Sequence, residues 1–242
     1  MSELRGNQWL ILPTLVFLGV VSTAVGSLGA PLLPTIARMD EVSLGDSQWA
    51  LTISLLTGAV AAPVLGRLSD GHRRRPTIVG VLAIVTAGCV LAAIPLGFGW
   101  LLVGRAMQGI GLGLVPLGIA VARDALPPEK AAPGIALLGV TSAAGLGIGC
   151  PVAGVITEFL GLSAAFWAGA VLTMVALVGV ILIVPDAPAR PRRRLDALGA
   201  VLLTVTIAGF LLVCSQGPVW GWISMQLLSV AVISVLVGAV WV

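Results

Sequence analysis

Residues 48–66 read QWALTISLLTGAVAAPVLG, residues 67–76 read RLSDGHRRRP, and residues 77–96 read TIVGVLAIVTAGCVLAAIPL. Two apolar runs of about 20 residues, the length that crosses a hydrocarbon core, flank a short turn holding four arginines, a histidine and an aspartate. A soluble helical pair would need a polar face on each helix, and these runs have none. The segment therefore reads as a membrane hairpin. The same pattern recurs along the chain and predicts spans at 9–31, 48–66, 77–96, 100–122, 132–156, 164–184, 197–216 and 223–242. Glycine and proline inside these runs are compatible with spanning, because neighbouring helices satisfy the freed backbone groups.

Composition agrees. Of 242 residues 58% are hydrophobic, and the 31 glycines raise the apolar share to roughly 71%, where soluble domains run at about 45–50%. Charged residues make up 10%, against about 25% in a soluble domain. Such a chain cannot cover a water-facing surface, which excludes a soluble enzyme, a nucleic-acid-binding domain and a disordered tail. The lipid bilayer is its first partner, and nucleic acid is not one. The first apolar run starts at Trp9 and passes Ala24, longer than the apolar core of about 7–15 residues in a cleaved signal peptide. It reads as an uncleaved first span.

Charge placement sets the orientation. With the N-terminus inside, eleven of the 13 basic residues fall on the cytoplasmic side, as the positive-inside rule requires. Arg38 falls in an outer loop and Arg105 inside a span. Asp40, Glu41, Asp46 and Glu158 lie outside. The expectation is a multi-pass protein of the cytoplasmic membrane. Residues 1–185 form a six-span bundle, 186–196 a basic linker rich in proline, and 197–242 two additional spans. The last run stops at Trp241–Val242 without the basic inner flank that follows each earlier even-numbered span. The chain is therefore expected to be incomplete and not transport-competent alone, its missing partner being a C-terminal six-span bundle.

Catalytic and metal sites find no support. Cys89, Cys150 and Cys214 all lie in apolar stretches, an odd number that argues against a disulfide framework. His72 sits alone among arginines, so neither a His/Cys metal cluster nor a Ser-His-Asp arrangement can be assembled. The Gly109-x-Gly111-x-Gly113 run follows no strand and is not a dinucleotide loop. Trp9, Trp49, Trp100, Trp220 and Trp222 fall near span ends, where indoles anchor helices at the interface.

Four segments carry a family resemblance. Gly66-Arg67-Leu68-Ser69-Asp70-Gly71-His72-Arg73-Arg74-Arg75 resembles the signature loop of the major facilitator superfamily, with Arg73 where the family usually has glycine. Arg105-Ala106-Met107-Gln108-Gly109-Ile110-Gly111 resembles its arginine-containing fourth-span motif. The run Gly145-Leu146-Gly147-Ile148-Gly149-Cys150-Pro151-Val152-Ala153-Gly154 is similar to the antiporter motif of the fifth span, with Cys150 intruding before the proline and Ala153 in place of a glycine. Arg194-Leu195-Asp196 and the turn Ser215–Trp222 resemble the additional helix pair of the fourteen-span drug:proton antiporter branch.

The resemblance implies an all-α transmembrane bundle that moves hydrophobic small molecules, drugs or antibiotics, by alternating access. The proton gradient would be its energy source, with no cofactor. A non-transporting membrane protein, an inactive relic or a metabolite transporter of the same fold are the alternatives. On the same basis Arg105 and Gln108 would act in proton coupling or line a cavity, with Ser27 and Met107 as further cavity residues. Arg105 could instead reach the outer interface, about 7.5 Å along the helix at Trp100. Gly66, Asp70, Arg74 and Asp124 would form a cytoplasmic gating loop. Gly145, Gly149, Pro151 and Gly154 would form a hinge in span five, with close helix packing as the alternative role for the glycines. The branch often carries an aspartate in span one, but here the stretch is Val25-Gly26-Ser27-Leu28, and none of the ten acids lies within a predicted span.

Overall fold

The computed structural model describes residues 8–68, 74–185 and 197–241. Among these the secondary structure is helical throughout, with no strand. In hydrocarbon every backbone N–H and C=O must find a partner within the segment, and a helix is the open-chain solution. Seven described stretches are long and apolar enough to cross a membrane: Trp9–Met39, Leu44–Gly66, Arg74–Ala93, Phe98–Ala125, Pro128–Leu160, Leu162–Ile183 and Leu202–Trp220. The run expected as an eighth span, 223–242, is a 17-residue helix, Met225–Trp241. The linker expected at 186–196 lies outside the described residues.

Two spans are interrupted. The first consists of α1 (Gln8–Ser27) and α2 (Gly29–Met39), so it runs past the expected end at residue 31. Pro31 has no N–H to give to the carbonyl four residues back, that of Ser27, and the regular ladder stops there. Leu28, between the two helices, stays in the right-handed helical region at φ −55° and ψ −24°. It donates instead to Val25 O at 3.3 Å, one residue short of a helical bond. After α3 (Leu44–Ser47) and α4 (Trp49–Leu68) comes α5 (Arg74–Ala93). The fourth span is α6 (Phe98–Ile110), a tighter 3-10 turn over Gly111–Gly113, and α7 (Leu114–Ala125). Pro116 again deprives the carbonyl four residues back, Leu112, of its donor.

The fifth span, α8 (Pro128–Leu160), is one helix of 33 residues, longer at both ends than the expected 132–156. Gly161 alone joins it to α9 (Leu162–Ile183). Its φ of +87° is a conformation that side chains with a Cβ rarely adopt. Finally, α10 (Ala197–Trp220) and α11 (Met225–Trp241) pair with each other, and α10 lies along α4. Thr52 and Ser215 join α4 to α10 by a hydroxyl pair at 2.6 Å.

Packing within the six-span bundle is led by small residues. The buried face of α8 runs Gly134, Leu138, Ser142, Gly145, Gly149, Ala153, a stripe with steps of four and three that lies against α1. A Cβ on Gly145 would meet Val20 O at 2.6 Å, and one on Gly149 would meet the Ser27 hydroxyl at 2.6 Å. On the other side, Gly88 of α5 and Gly104 of α6 face each other so closely that a Cβ on either would approach the other's carbonyl within 2.8 Å. Without a hydrophobic force between helices in lipid, such close approach is what holds spans together.

Candidate functional site

The site lies where the two interrupted spans cross. Arg105 is in the second turn of α6, seven residues and about 10 Å from the helix start. Its side chain is completely buried. Gly29 lets it pass, since a Cβ there would lie 2.7 Å from a guanidinium nitrogen. The guanidinium donates from Nη2 to Gly26 O at 3.3 Å and from Nη1 to Val25 O at 3.4 Å. Nε donates to Ala50 O on α4 at 3.1 Å. Nη1 also donates to Gln108 Oε1 at 2.5 Å.

This arrangement follows from electrostatics. A helix end carries unpaired carbonyls and the negative pole of the helix dipole. The break at Leu28 puts a helix end inside span one, and Arg105 of span four donates to two of its carbonyls. An arginine deep in a bilayer costs about 2.5–3.5 kcal/mol on insertion scales, while a hydrogen bond to a charged group contributes about 1.5–3 kcal/mol. Two well-made bonds of that kind offset the cost. The planar fork matters as much as the charge, because it serves four acceptors on spans one, two and four, one more than the three donors of an ammonium.

Gln108 completes the node. A guanidinium only donates, so the amide must turn its oxygen to Arg105. Its nitrogen then donates to Gly88 O on α5 at 3.2 Å. Ser54 of α4, also fully buried, donates to the Arg105 carbonyl at 2.8 Å. Gly109 leaves room for this contact, since a Cβ there would collide with the Ser54 carbonyl and the Thr57 hydroxyl. One layer away, Thr86 of α5 donates to Thr173 of α9 at 3.0 Å. Ser54, Thr86 and Thr173 were not singled out in the sequence, because single hydroxyls in apolar helices usually bond back to their own turn.

The residues expected beside a cavity are thus placed differently. Arg105, Gln108 and Ser27 are enclosed by protein, and Arg105 points to the backbone of span one, neither into open space nor to the outer interface. Ser27 donates to Ala24 O at 2.8 Å and sits against Gly149 in the seam between α1 and α8. Met107 places its Cβ against Gly88 on the α5 side. The Ser27 carbonyl that Pro31 leaves without a helical donor faces the Cys150 thiol at 3.6 Å.

Of the fifth-span residues, Gly145 and Gly149 make the close approach to α1. The stripe continues through buried Ala153, whereas a Cβ on Gly154 would reach only Pro31, at 3.9 Å. Pro151 is exposed within an unbroken helix. Gly145, Gly149 and Ala153 thus form a packing seam, the alternative role given for these glycines.

At the opposite end of the bundle Arg74 forms an ion pair with Asp124, both side chains being largely buried at 11% and 14% exposure. Asp124 stands in the last turn of α7, where the helix dipole disfavours an acid. Arg74 corrects this and also donates to Ala120 O at 3.0 Å. Its neighbour Arg75 donates to Ile181 O at 2.6 Å, in the last turn of α9. Gly66 is exposed at the end of α4. Asp70, expected to latch onto Arg74, lies outside the described residues.

The family model for the Major Facilitator Superfamily matches residues 15–242. An uncharacterized MFS-type transporter of Mycobacterium tuberculosis is 28% identical over 99% of the chain and 34% of its own length. The tetracenomycin C resistance and export protein of Streptomyces glaucescens is 30% identical over 97% of the chain and 44% of its own length. A multidrug resistance protein of Schizosaccharomyces pombe is 27% identical over 98% and 46%. The chain thus spans between a third and a half of these curated relatives. Among solved structures, a peptide transporter superposes with a TM-score of 0.70 at 17% identity, covering 96% of this chain and 51% of that one. A human organic anion transporter superposes with a TM-score of 0.65 at 20% identity, covering 87% and 56%. At these identities the structures speak for the fold.

Proposed function

The chain belongs to the Major Facilitator Superfamily, and from that premise we propose that it forms the N-terminal bundle of a proton-driven exporter of hydrophobic small molecules. The substrates are drugs or antibiotics, and transport runs by alternating access against a second bundle. The N-terminus and the end bearing Arg74, Asp124 and Lys130 face the cytoplasm of a bacterial inner membrane. No cofactor takes part.

One observation carries the reading: Arg105 is bonded to the interrupted backbone of span one. Interrupted spans at a polar node are what transporters use to build sites within the bilayer. The node ties spans one, two, three and four into one body through Gly26, Ala50, Gly88 and Gln108. That body can rock as a unit against its counterpart. The names of the tetracenomycin and multidrug relatives support the export of hydrophobic compounds.

The partners of the guanidinium are carbonyl oxygens, so Arg105 does not hold a titrating carboxylate within its own hydrogen-bond shell. It acts on proton coupling by fixing the geometry of span one, while the titrating acid stands elsewhere in the full-length protein. The test is uptake of a lipophilic dye by proteoliposomes of the full-length protein under an imposed pH gradient. Gradient-dependent uptake that a protonophore abolishes is expected. Dye movement indifferent to the gradient would remove the proton, and no movement of any hydrophobic compound would remove the exporter.

A further inference from the structure

Three apolar stretches reach the same membrane boundary at one corner of the bundle: Trp9 opens the first, Ala125 closes the fourth and Pro128 opens the fifth. A hollow of about 260 Å³ lies between them, lined by Trp9, Leu12, Leu126, Pro127 and Lys130. Its floor is apolar and its rim carries one cation. The Lys130 ammonium stands 4.3 Å from the centre of the Trp9 ring. The indole face holds it in place, but supplies no anion. Among the described residues no carboxylate or carbonyl accepts its hydrogen bonds.

We propose that this hollow binds an anionic phospholipid, with its phosphate against Lys130 and the first carbons of an acyl chain over Leu12, Leu126 and Pro127. The level of the hollow decides the occupant. It lies where hydrocarbon gives way to headgroups, so an amphiphile anchored in the bilayer meets both its charged rim and its apolar floor. A free phosphate would leave that floor uncovered. The surrounding charges agree. Arg123, exposed in the last turn of α7, adds a second cation to this end. Asp124 is taken up by Arg74. Glu129, next to Lys130 in sequence, does not line the hollow. The proposal stands on membrane insertion alone and is independent of what the protein transports.

Brominated lipids test it. The full-length protein is placed in phosphatidylcholine nanodiscs with a small fraction of either brominated phosphatidylglycerol or brominated phosphatidylcholine. The fluorescence lost in the wild type, less that lost in Trp9→Phe, isolates quenching of Trp9. Phenylalanine keeps an aromatic face beside Lys130, so the site stays in place while the indole signal is removed. Quenching should be several-fold greater with the anionic lipid, fall to the phosphatidylcholine level in Lys130→Gln, and persist in Lys130→Arg. Equal quenching by the two lipids in the wild type would overturn the proposal without reliance on any Lys130 variant. So would an anionic preference that survives Lys130→Gln in protein with an unchanged thermal transition.

Discussion

Arg105 of α6 donates to the backbone carbonyl of Gly26 at 3.3 Å, from the interior of one span into the interior of another. The bond is made where the ladder of span one breaks at Leu28, whose N–H turns to Val25 O. Span one thus receives hydrogen bonds from span four beside its own break.

Gln108 gives the node its strongest acceptor. Gln108→Leu should leave a buried cation short of a partner and destabilise the protein by about 2–3 kcal/mol, the usual cost of losing a charge-assisted bond. Gln108→Glu should lose less than Gln108→Leu, because a carboxylate keeps the bond to the guanidinium although it gives up the donor to Gly88 O. Thermal unfolding in detergent separates the two. A Gln108→Leu protein as stable as wild type would show that the 2.5 Å bond is not needed.

The seam between α1 and α8 gives a paired prediction. Gly149→Val should press into Ala24 and Ser27 and cost about 1–3 kcal/mol, typical of overpacking. Gly147→Val, two residues away with open space around it, should be neutral or slightly stabilising, because valine is the better helix former. Both are read by thermal unfolding. Equal effects would mean that the glycines serve something other than contact with α1.

The sequence disclosed the spans well and the site in part. Arg105 stood out as a cation in an apolar run, and Gln108 as its neighbour one turn on. Their target could not be read, because it is backbone, and carbonyls leave no trace in residue types. Pro31, at the expected end of span one, was not read as a break, and the Cys150 thiol facing the Ser27 carbonyl is visible only in the structure. In the fifth span the pattern 145, 149, 154 was visible, yet helical geometry carries the contact through Ala153, which keeps the four-residue step. Ser54, Thr86 and Thr173 remained hidden because a hydroxyl in an apolar helix looks alike whether it bonds across helices or within its own turn. Span one overran its expected end because a proline in the first turn of α2 is compatible with helix.

The Arg74–Asp124 pair should behave as a coupled unit. Removing either partner leaves the other charge largely buried, and a double-mutant cycle with Arg74→Gln and Asp124→Asn should give a coupling of about 1–3 kcal/mol. Thermal or denaturant unfolding supplies the four values. Additive effects would reduce the contact to a coincidence of two solvated charges.

Asp40 lies at the other end, on the rim of a hollow of about 270 Å³ lined also by Ala93, Pro95, Leu101 and Ser163. Burial raises its carboxyl above the ordinary 3.8. The folded state therefore holds this proton more tightly than the unfolded one, and the associated stability is present in acid and lost as pH climbs past 3.8 through the raised value. Asp40→Asn should flatten the pH dependence of unfolding in that window and leave neutral stability equal or slightly higher. A variant that loses stability mainly at neutral pH would show that the charged carboxylate has a partner.

In the proposed exporter, Arg105 would couple proton and substrate movement by holding the broken span one. The most direct measurement compares initial rates of pH-gradient-driven dye uptake by proteoliposomes of full-length wild type and Arg105→Lys at matched amounts of folded protein. The lysine keeps the charge and loses the fork, so the rate should fall at least about tenfold, about 1.4 kcal/mol in the barrier. Gradient-driven uptake by Arg105→Lys at the wild-type rate would contradict the account.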